Sequence, residues 1–318
     1  MLGTLLDTVL DRSIVGGYSN IGYRLRQHRW QDAEPGSMTG RVVLVTGATS
    51  GLGSAAAAGF ARLGATVHLL VRDRSRGEDA RAAVAEQAQG EVHLELCDLA
   101  EMADVRQFAQ RFAATVPRLD VLVNNAGVLT PERTLSADGI ELTFAVNVLA
   151  PFLLTAALLE PLRRAAPSRI INVSSGGMYA QRLNAEDLQN EHDYNGTTAY
   201  ARTKRAEVVL SEMWAHRLAP DGIVVNSMHP GWADTPGVRS SLPRFYRFTK
   251  PLLRTPEEGA DTIVWLGAAP EAAQLSGDFW HDRVKRPTHL LPTTRESAGA
   301  RRHLWAECER LSGAGPIP

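Results

Sequence analysis

Val42-Val43-Leu44-Val45-Thr46-Gly47-Ala48-Thr49-Ser50-Gly51-Leu52-Gly53 joins an apolar run to a glycine-rich turn, and the alanine-rich stretch Ser54 to Leu63 continues it as a helix. Strands covered on both faces read as short continuous apolar runs, and Val42 to Val45 fits that pattern. A strand that turns through glycines into a helix N-terminus offers free N–H groups and partial positive charge, the chemistry that holds a pyrophosphate. The register Gly51-x-Gly53-x-x-Ala56 satisfies the dinucleotide fingerprint and follows the first strand, where that fingerprint has physical meaning. Gly47, Thr49, Ser50, Gly51, Leu52 and Gly53 are therefore candidate cofactor contacts.

Outward from this turn, apolar runs alternate with helical stretches. Strands are expected near Arg41 to Thr46, Thr66 to Val71, Val92 to Leu96, Asp120 to Asn124, Arg169 to Ser174, Ile223 to Met228 and Gly277 to Trp280. This alternation predicts an α/β fold: a Rossmann-type doubly wound parallel sheet of seven strands with helices on both faces. A single catalytic domain spans residues 40–290, with an N-terminal extension over 1–39 and a C-terminal tail over 291–318, and 313–318 is expected to fray.

The chain has 318 residues, 44% hydrophobic and 22% charged, with a formal net charge of -1, which gives no reason to expect a nucleic-acid partner. The basic clusters Arg24 to Arg29 and Arg283 to Arg286 read as solvated faces. Cys97 and Cys308 lack disulfide or zinc spacing, and His229, His281 and His289 have no evident carboxylate partner, so no metal is expected. A reducing, cytoplasmic compartment follows from the cysteine usage and from first residues that lack signal-peptide order. Leu2, Leu5, Leu6, Val9 and Leu10 recur near helical spacing. That segment reads as a helix packed on the domain, with an interfacial membrane helix or a substrate lid as the alternative.

The second strand ends in Val71-Arg72-Asp73, where an NAD-specific fold places an acid for the ribose 2′-hydroxyl. A guanidinium there suits a 2′-phosphate, so NADP(H) is preferred over NAD(H), although Asp73 serves as the acid if the strand ends one residue later. Asp98 either meets the adenine edge or caps the helix that starts near Glu101.

Tyr200-Ala-Arg-Thr-Lys204 opens an amphipathic helix carrying Ala206, Val209, Leu210 and Met213, and positions i and i+4 share a helix face. A lysine charge roughly 5 Å from a phenol, at an effective dielectric of ~20, favours the phenolate by about 3 kcal/mol. Such a pair can exchange a proton with a carbonyl or alcohol near neutral pH. A second copy, Tyr246-Arg-Phe-Thr-Lys250, lies between Pro243 and Pro251 and reads as part of a mobile flap. Met178, Tyr179, Trp232, Phe245, Tyr246 and Phe248 are candidate pocket residues for an apolar substrate.

Thr46-Gly47-x-x-x-Gly51-x-Gly53, Asp98-Leu99, Asn124-Asn125-Ala126-Gly127, Asn147, Ser174-Ser175, Tyr200-x-x-x-Lys204 and Pro230-Gly231 occur in one order, and together the chain resembles the short-chain dehydrogenase/reductase family from Arg41 to about Trp280. The resemblance implies that Tyr200 is the acid/base and that Lys204 holds the nicotinamide ribose. Ser175, preferred over Ser174, would bind the substrate oxygen, and Asn147 would anchor a proton-relaying water. It also implies cofactor contacts at Leu99, Asn125, Ala126, Gly127, Pro230, Gly231 and Thr235. The stretch between Ser175 and Tyr200 is longer than is common in the family, so residues 176–198 form an insertion, with Asn184 to Asn195 either a polar rim or a substrate contact. The implied activity is NADP(H)-dependent hydride transfer between a nicotinamide and a carbonyl or secondary alcohol, as in a carbonyl reductase. A non-catalytic NADP(H)-binding sensor or scaffold, and a sugar-nucleotide epimerase, are the competing classes. A homodimer paired through the Tyr200 helix and the helix before it is also open.

Overall fold

The computed structural model describes residues 14–241, 243–315 and 317. Its strands are β1 (Val42–Thr46), β2 (Thr66–Val71), β3 (Val92–Leu96), β4 (Val121–Asn124), β5 (Ser168–Val173), β6 (Ile223–Met228), β7 (Phe279–His281) and β8 (Val284–Arg286). They form one sheet in the order β3-β2-β1-β4-β5-β6-β7-β8. The first seven are parallel, and β8 returns antiparallel to β7. The eighth strand corrects the expected seven. Asp282 and Arg283, at φ 52° and 57°, both adopt the left-handed conformation that a two-residue hairpin loop requires.

The helices are α1 (Ile14–Tyr18), α2 (Asn20–Gln27), α3 (Gly51–Arg62), α4 (Arg74–Ala85), α5 (Met102–Thr115), α6 (Leu142–Phe144), α7 (Ala150–Ala157), α8 (Leu159–Arg164), α9 (Gly196–Leu218), α10 (Pro236–Ser241), α11 (Pro243–Thr249), α12 (Pro256–Ala268) and α13 (Ala298–Ser312). A π-helical turn, Ala145–Leu149, links α6 to α7. None of the described helices is long and apolar enough to cross a membrane.

Side-chain alternation divides the core. Val43 and Val45 of β1 join Phe60, Ile263 and Leu266 from α3 and α12 on one face. Leu44 joins Phe108, Phe152 and Trp214 from α5, α7 and α9 on the other. The segment expected to be a tail contributes to this second core: Leu304, Trp305 and Cys308 of α13 are buried, and the Trp305 ring lies 5.0 Å from Phe152 and 4.7 Å from Trp214. Ala314 and Ile317 also pack against it, so the described part of 313–318 is docked and not frayed.

Residues 14–30 dock as well. The apolar pattern from Leu2 to Leu10 lies outside the described residues, but the Gly17 and Ser19 carbonyls accept hydrogen bonds from the buried Arg254 guanidinium. Arg254 and Arg26 both pair with Asp282 in the β7–β8 turn. Arg26, Arg254 and Asp282 are 7%, 1% and 1% exposed. Arg283 pairs with Asp261, and Arg286 is buried. Arg26 and Arg283 of the two basic clusters are therefore held in ion pairs and are not solvated faces; Asp282 lies 256 positions from Arg26.

Candidate active site

The predicted contacts Gly47 to Gly53 and Asn125 to Gly127 follow β1 and β4, between which the strand order reverses; Arg72, Asp98 and Pro230 follow β2, β3 and β6, and Tyr200 and Lys204 lie on α9. Open α/β sheets bind ligands at such a switch point. The Thr46 hydroxyl accepts from the backbone N–H of Asn125 and of Ala126, both at 2.9 Å, and the Asn125 amide donates to the Thr46 carbonyl. β1 and β4 are thus tied together beneath the glycine turn. Gly53 cannot carry a side chain, because a Cβ there would stand 2.4 Å from the Gly47 oxygen. Gly51 packs against Thr235, which places the β6 loop against the mouth of the turn. Ser50 is the N-cap of α3, yet its side chain makes no capping bond, so the first-turn N–H groups have no side-chain acceptor. An uncapped helix N-terminus at the switch point, closed in by Gly47 and Thr235, fits the pyrophosphate of a dinucleotide.

β2 ends at Val71, paired with Leu96, and Arg72 is exposed directly after it. Asp73 accepts from the Arg76 N–H at 2.8 Å as the N-cap of α4, so its carboxylate is engaged in the helix cap. Asp98 accepts from the Ala100 N–H. It does not cap α5, whose Met102 N–H is taken by Asp138, and this removes one of the two roles expected of it. The Leu99 side chain packs against the core. The Pro230 carbonyl accepts from Arg254, and Gly231, at φ 75°, lies against the Arg254 guanidinium and the Tyr18 carbonyl.

Tyr200 and Lys204 lie one turn apart on α9, with the Lys204 Nζ 5.5 Å from the Tyr200 ring centroid. Lys204 is buried, and its ammonium donates to the Val173 carbonyl at 2.9 Å and to Glu207 Oε1 at 2.7 Å. Burial works against its charge, but the Glu207 carboxylate and the Tyr200 phenol outweigh burial and hold Lys204 above the ordinary lysine range. Asn147 lies buried in the π-helical turn, a feature frequent at functional sites. Its Oδ1 accepts from Val128 N–H, and its amide donates to Val128 O and Thr203 Oγ1. A Cβ on Gly127 would lie 3.3 Å from Lys204 Nζ and 3.5 Å from Asn147 Oδ1, so these three residues converge on one spot. Ser174 is buried and donates to the Lys204 carbonyl. Ser175 is partly exposed and caps the Gly176 turn by accepting from Gly177 N–H. The neighbouring serines therefore differ in role: Ser174 fixes the helix, and Ser175 keeps part of its surface exposed.

Several expected pocket residues fall elsewhere. Met178 is fully buried in a small core with Val208 and Phe279. Tyr246 lies on α11 under the Arg239 guanidinium, 5.9 Å from Lys250, and Phe248 is 73% exposed, so the second Tyr-x-x-x-Lys lies on an exposed helix. The Phe245 side chain lies outside the described residues. The Tyr179 ring meets His229 edge-on, while its hydroxyl donates to the Pro287 carbonyl. Insertion 176–198 is pinned to the loop after β4, where the Tyr194 hydroxyl bonds the Thr130 hydroxyl and Glu141 N–H donates to Gln189, and to α9, where Arg202 donates to Asn190.

The histidines are not scattered. His229 and His281 stack at 3.9 Å, His281 lies 3.4 Å from Asp282, and His289 lies 3.3 Å from Glu296. Burial pushes His281 down to about 4, so it is neutral at pH 7. Among the described residues no cluster of three or more His, Cys, Asp or Glu could hold a metal.

Two neighbours of the site carried no usable signal in the sequence. Tyr18 arrives from the N-terminal segment, stacks on His229 at 4.8 Å and touches Gly176, next to Ser175. Glu207 sits three residues after Lys204, a spacing that on an exposed helix would mean only a surface ion pair.

This geometry defines a dinucleotide-dependent oxidoreductase. The chain belongs to the short-chain dehydrogenase family, whose sequence profile matches residues 41–244. It is an NAD(P)-dependent enzyme acting on CH–OH groups. Dehydrogenase/reductase SDR family member 12 of Bos taurus is 45% identical over 262 residues, 81% of each chain. Retinol dehydrogenase 14 of Homo sapiens is 37% identical over 318 residues, 92% of each chain. Among solved structures, the RhlG/NADP active-site complex of Pseudomonas aeruginosa matches with a TM-score of 0.64 at 28% identity, covering 77% of this chain and 95% of that one.

Proposed function

We propose that this protein is an NADP(H)-dependent carbonyl reductase, or alcohol dehydrogenase in reverse, for an apolar substrate, with Tyr200 as acid and base. The observation that carries this reading is the buried, doubly anchored Lys204 one turn from Tyr200, converging with Asn147 and Gly127. Gly47 to Gly53 would hold the pyrophosphate of NADP(H), which would supply or accept the hydride when bound. Tyr200 gives the proton to the developing alkoxide during reduction, and Ser175 donates a hydrogen bond to the same oxygen. Lys204 holds its charge beneath the phenol, and Asn147 orients the polar path behind it. Arg72, exposed at the end of β2 while Asp73 caps α4, favours the 2′-phosphate of NADP(H). A retinoid or similarly apolar alcohol is the substrate class we infer from the retinol dehydrogenase relatives and the aromatic Tyr18, Trp232 and His229 beside Ser175. Buried free thiols at Cys97 and Cys308 favour a cytoplasmic setting. α13, lying across α7 and α9, favours a monomer over a homodimer paired on that face.

The test follows NADPH oxidation at 340 nm with a panel of retinals, steroids, ketones and aldehydes, beside NADH and the Tyr200→Phe variant. Turnover with NADPH is expected to fall at least about 100-fold in Tyr200→Phe. Undiminished turnover in that variant would overturn the role of Tyr200, a preference for NADH that of Arg72, and tight NADPH binding without turnover would favour a sensor.

A further inference from the structure

Glu207 is a buried acid that the four-residue set Asn147, Ser175, Tyr200 and Lys204 does not include. It is 5% exposed, one helical turn beyond Lys204. One carboxylate oxygen accepts from the Lys204 ammonium at 2.7 Å, and the other has no hydrogen-bond partner. Glu207 also lines a cavity of about 10 Å³, shared with Thr155, Asn172, Pro151 and Phe152, which has room for about one water. An ammonium has three donors. Val173 and Glu207 take two of those on Lys204, and Gly127 and Asn147 lie on the side that is left. The carboxylate therefore holds the cation in the one orientation that keeps a proton aimed at the cleft.

We propose that Glu207 is a positioning residue of this active site: it anchors the Lys204 ammonium against β5 and, through its charge, sets the pH range over which Tyr200 and Lys204 exchange protons. The proposal rests on the reductase reading above. Among the described residues Lys204 is the one charged group acting on Glu207; the uncharged groups around it include Asn172 and the Val173 carbonyl of β5 and Pro151, Phe152 and Thr155 of α7. Burial pushes the Glu207 carboxyl up to about 7 against the pull of Lys204, so its charge changes near neutral pH. A negative charge behind Lys204 raises the proton affinity of its ammonium, and removing it lowers that affinity.

Glu207→Gln keeps the shape and an acceptor for Lys204 while deleting the charge, and Glu207→Asp keeps the charge on a shorter arm. Two pH series are measured on each variant and on the wild type: kcat/KM for carbonyl reduction, and NADPH affinity by fluorescence titration without substrate. In Glu207→Gln the alkaline limb of kcat/KM is expected about one pH unit lower, and the alkaline weakening of NADPH binding is expected to move with it. Glu207→Asp is expected to restore both limbs toward the wild-type position. A Glu207→Gln variant with lower rates but unmoved limbs would show that Glu207 only packs the helix and would overturn the proposal, as would a limb displaced to higher pH. Wild type that binds NADPH but reduces nothing would refute the reductase reading alone, and the binding series would still decide for or against Glu207.

Discussion

Replacing Asp282 with Asn tests the joint between the N-terminal segment and the catalytic domain. Asparagine tolerates the left-handed backbone at φ 52° about as well as aspartate, so the β7–β8 turn is preserved and only the charge is removed. Asp282 Oδ1 accepts from Arg254 Nη1, while Oδ2 accepts from Arg254 Nη2 at 2.9 Å and from Arg26 Nη1 at 2.7 Å. Both guanidiniums are nearly sealed from water, so the variant removes from two buried cations the buried negative charge that they share. Breaking a buried pair from one side costs about 3–5 kcal/mol; the Asn oxygen still accepts one bond, which puts the expected loss near ~3 kcal/mol. Against a total stability of about 5–15 kcal/mol, the protein stays folded but measurably weakened. The loss is directional, because the same guanidiniums hold the Gly17 and Ser19 carbonyls. Chymotryptic cleavage at Tyr18 and Tyr23 is therefore expected to accelerate well before global unfolding, and urea denaturation reports the total. A destabilisation under about 1 kcal/mol with unchanged cleavage would refute the account of this cluster.

Acidification acts on the same joint through neighbouring groups. The folded-state value of His281, about 4, lies below its unfolded value of roughly 6.5, so its contribution of about 3 kcal/mol is present above pH 6.5 and is lost as pH falls toward 4. Burial opposes the Asp282 charge, but His281, Arg254 and Arg26 outweigh it and hold that carboxyl well below the usual range, so its contribution is lost only below about pH 4. Melting temperature against pH is expected to decline from pH 6.5 downward, and a flat profile to pH 4 would contradict the assignment of a neutral His281. Trp305→Ala removes a buried ring packed against Phe152 and Trp214, with the Arg217 guanidinium 3.8 Å from its centroid. It is expected to cost about 3–5 kcal/mol by urea denaturation, and a loss below 1 kcal/mol would show that α13 is not part of the core.

What the sequence disclosed and what it concealed divide along the distance between interacting residues. β2 and β6 start and stop where the sequence places them because a strand buried on both faces records its environment in its own residues, and the edge strand β3 because Val92, Leu94 and Leu96 alternate with His93 and Glu95. The glycine turn and the Tyr200–Lys204 pair are equally local, each complete within one strand-turn-helix or one helical turn. β8 was hidden because Val284-Lys285-Arg286 has three residues, two of them basic, and its hairpin turn carries Asp-Arg in place of a glycine signal. Arg26 looks like a surface charge until Asp282, 256 positions away, is placed beside it.

Glu207 shows the same limit within a single helix. Its spacing from Lys204 is plain in the sequence, yet an i,i+3 acid and base on an exposed helix contributes only about 0.2–0.5 kcal/mol. What changes the meaning of the pair is that α9 packs Lys204 against the β5 carbonyl of Val173 and closes Pro151 and Phe152 over Glu207. Burial converts a weak surface contact into a strongly coupled charge pair, because the field of each charge is no longer screened by water. The consequence reaches the chemistry: the lysine that would tune Tyr200 is itself tuned by a carboxyl whose own protonation changes near neutral pH. Lys204 and Glu207 should therefore titrate as one coupled pair, with apparent values that belong to the pair and not to either residue.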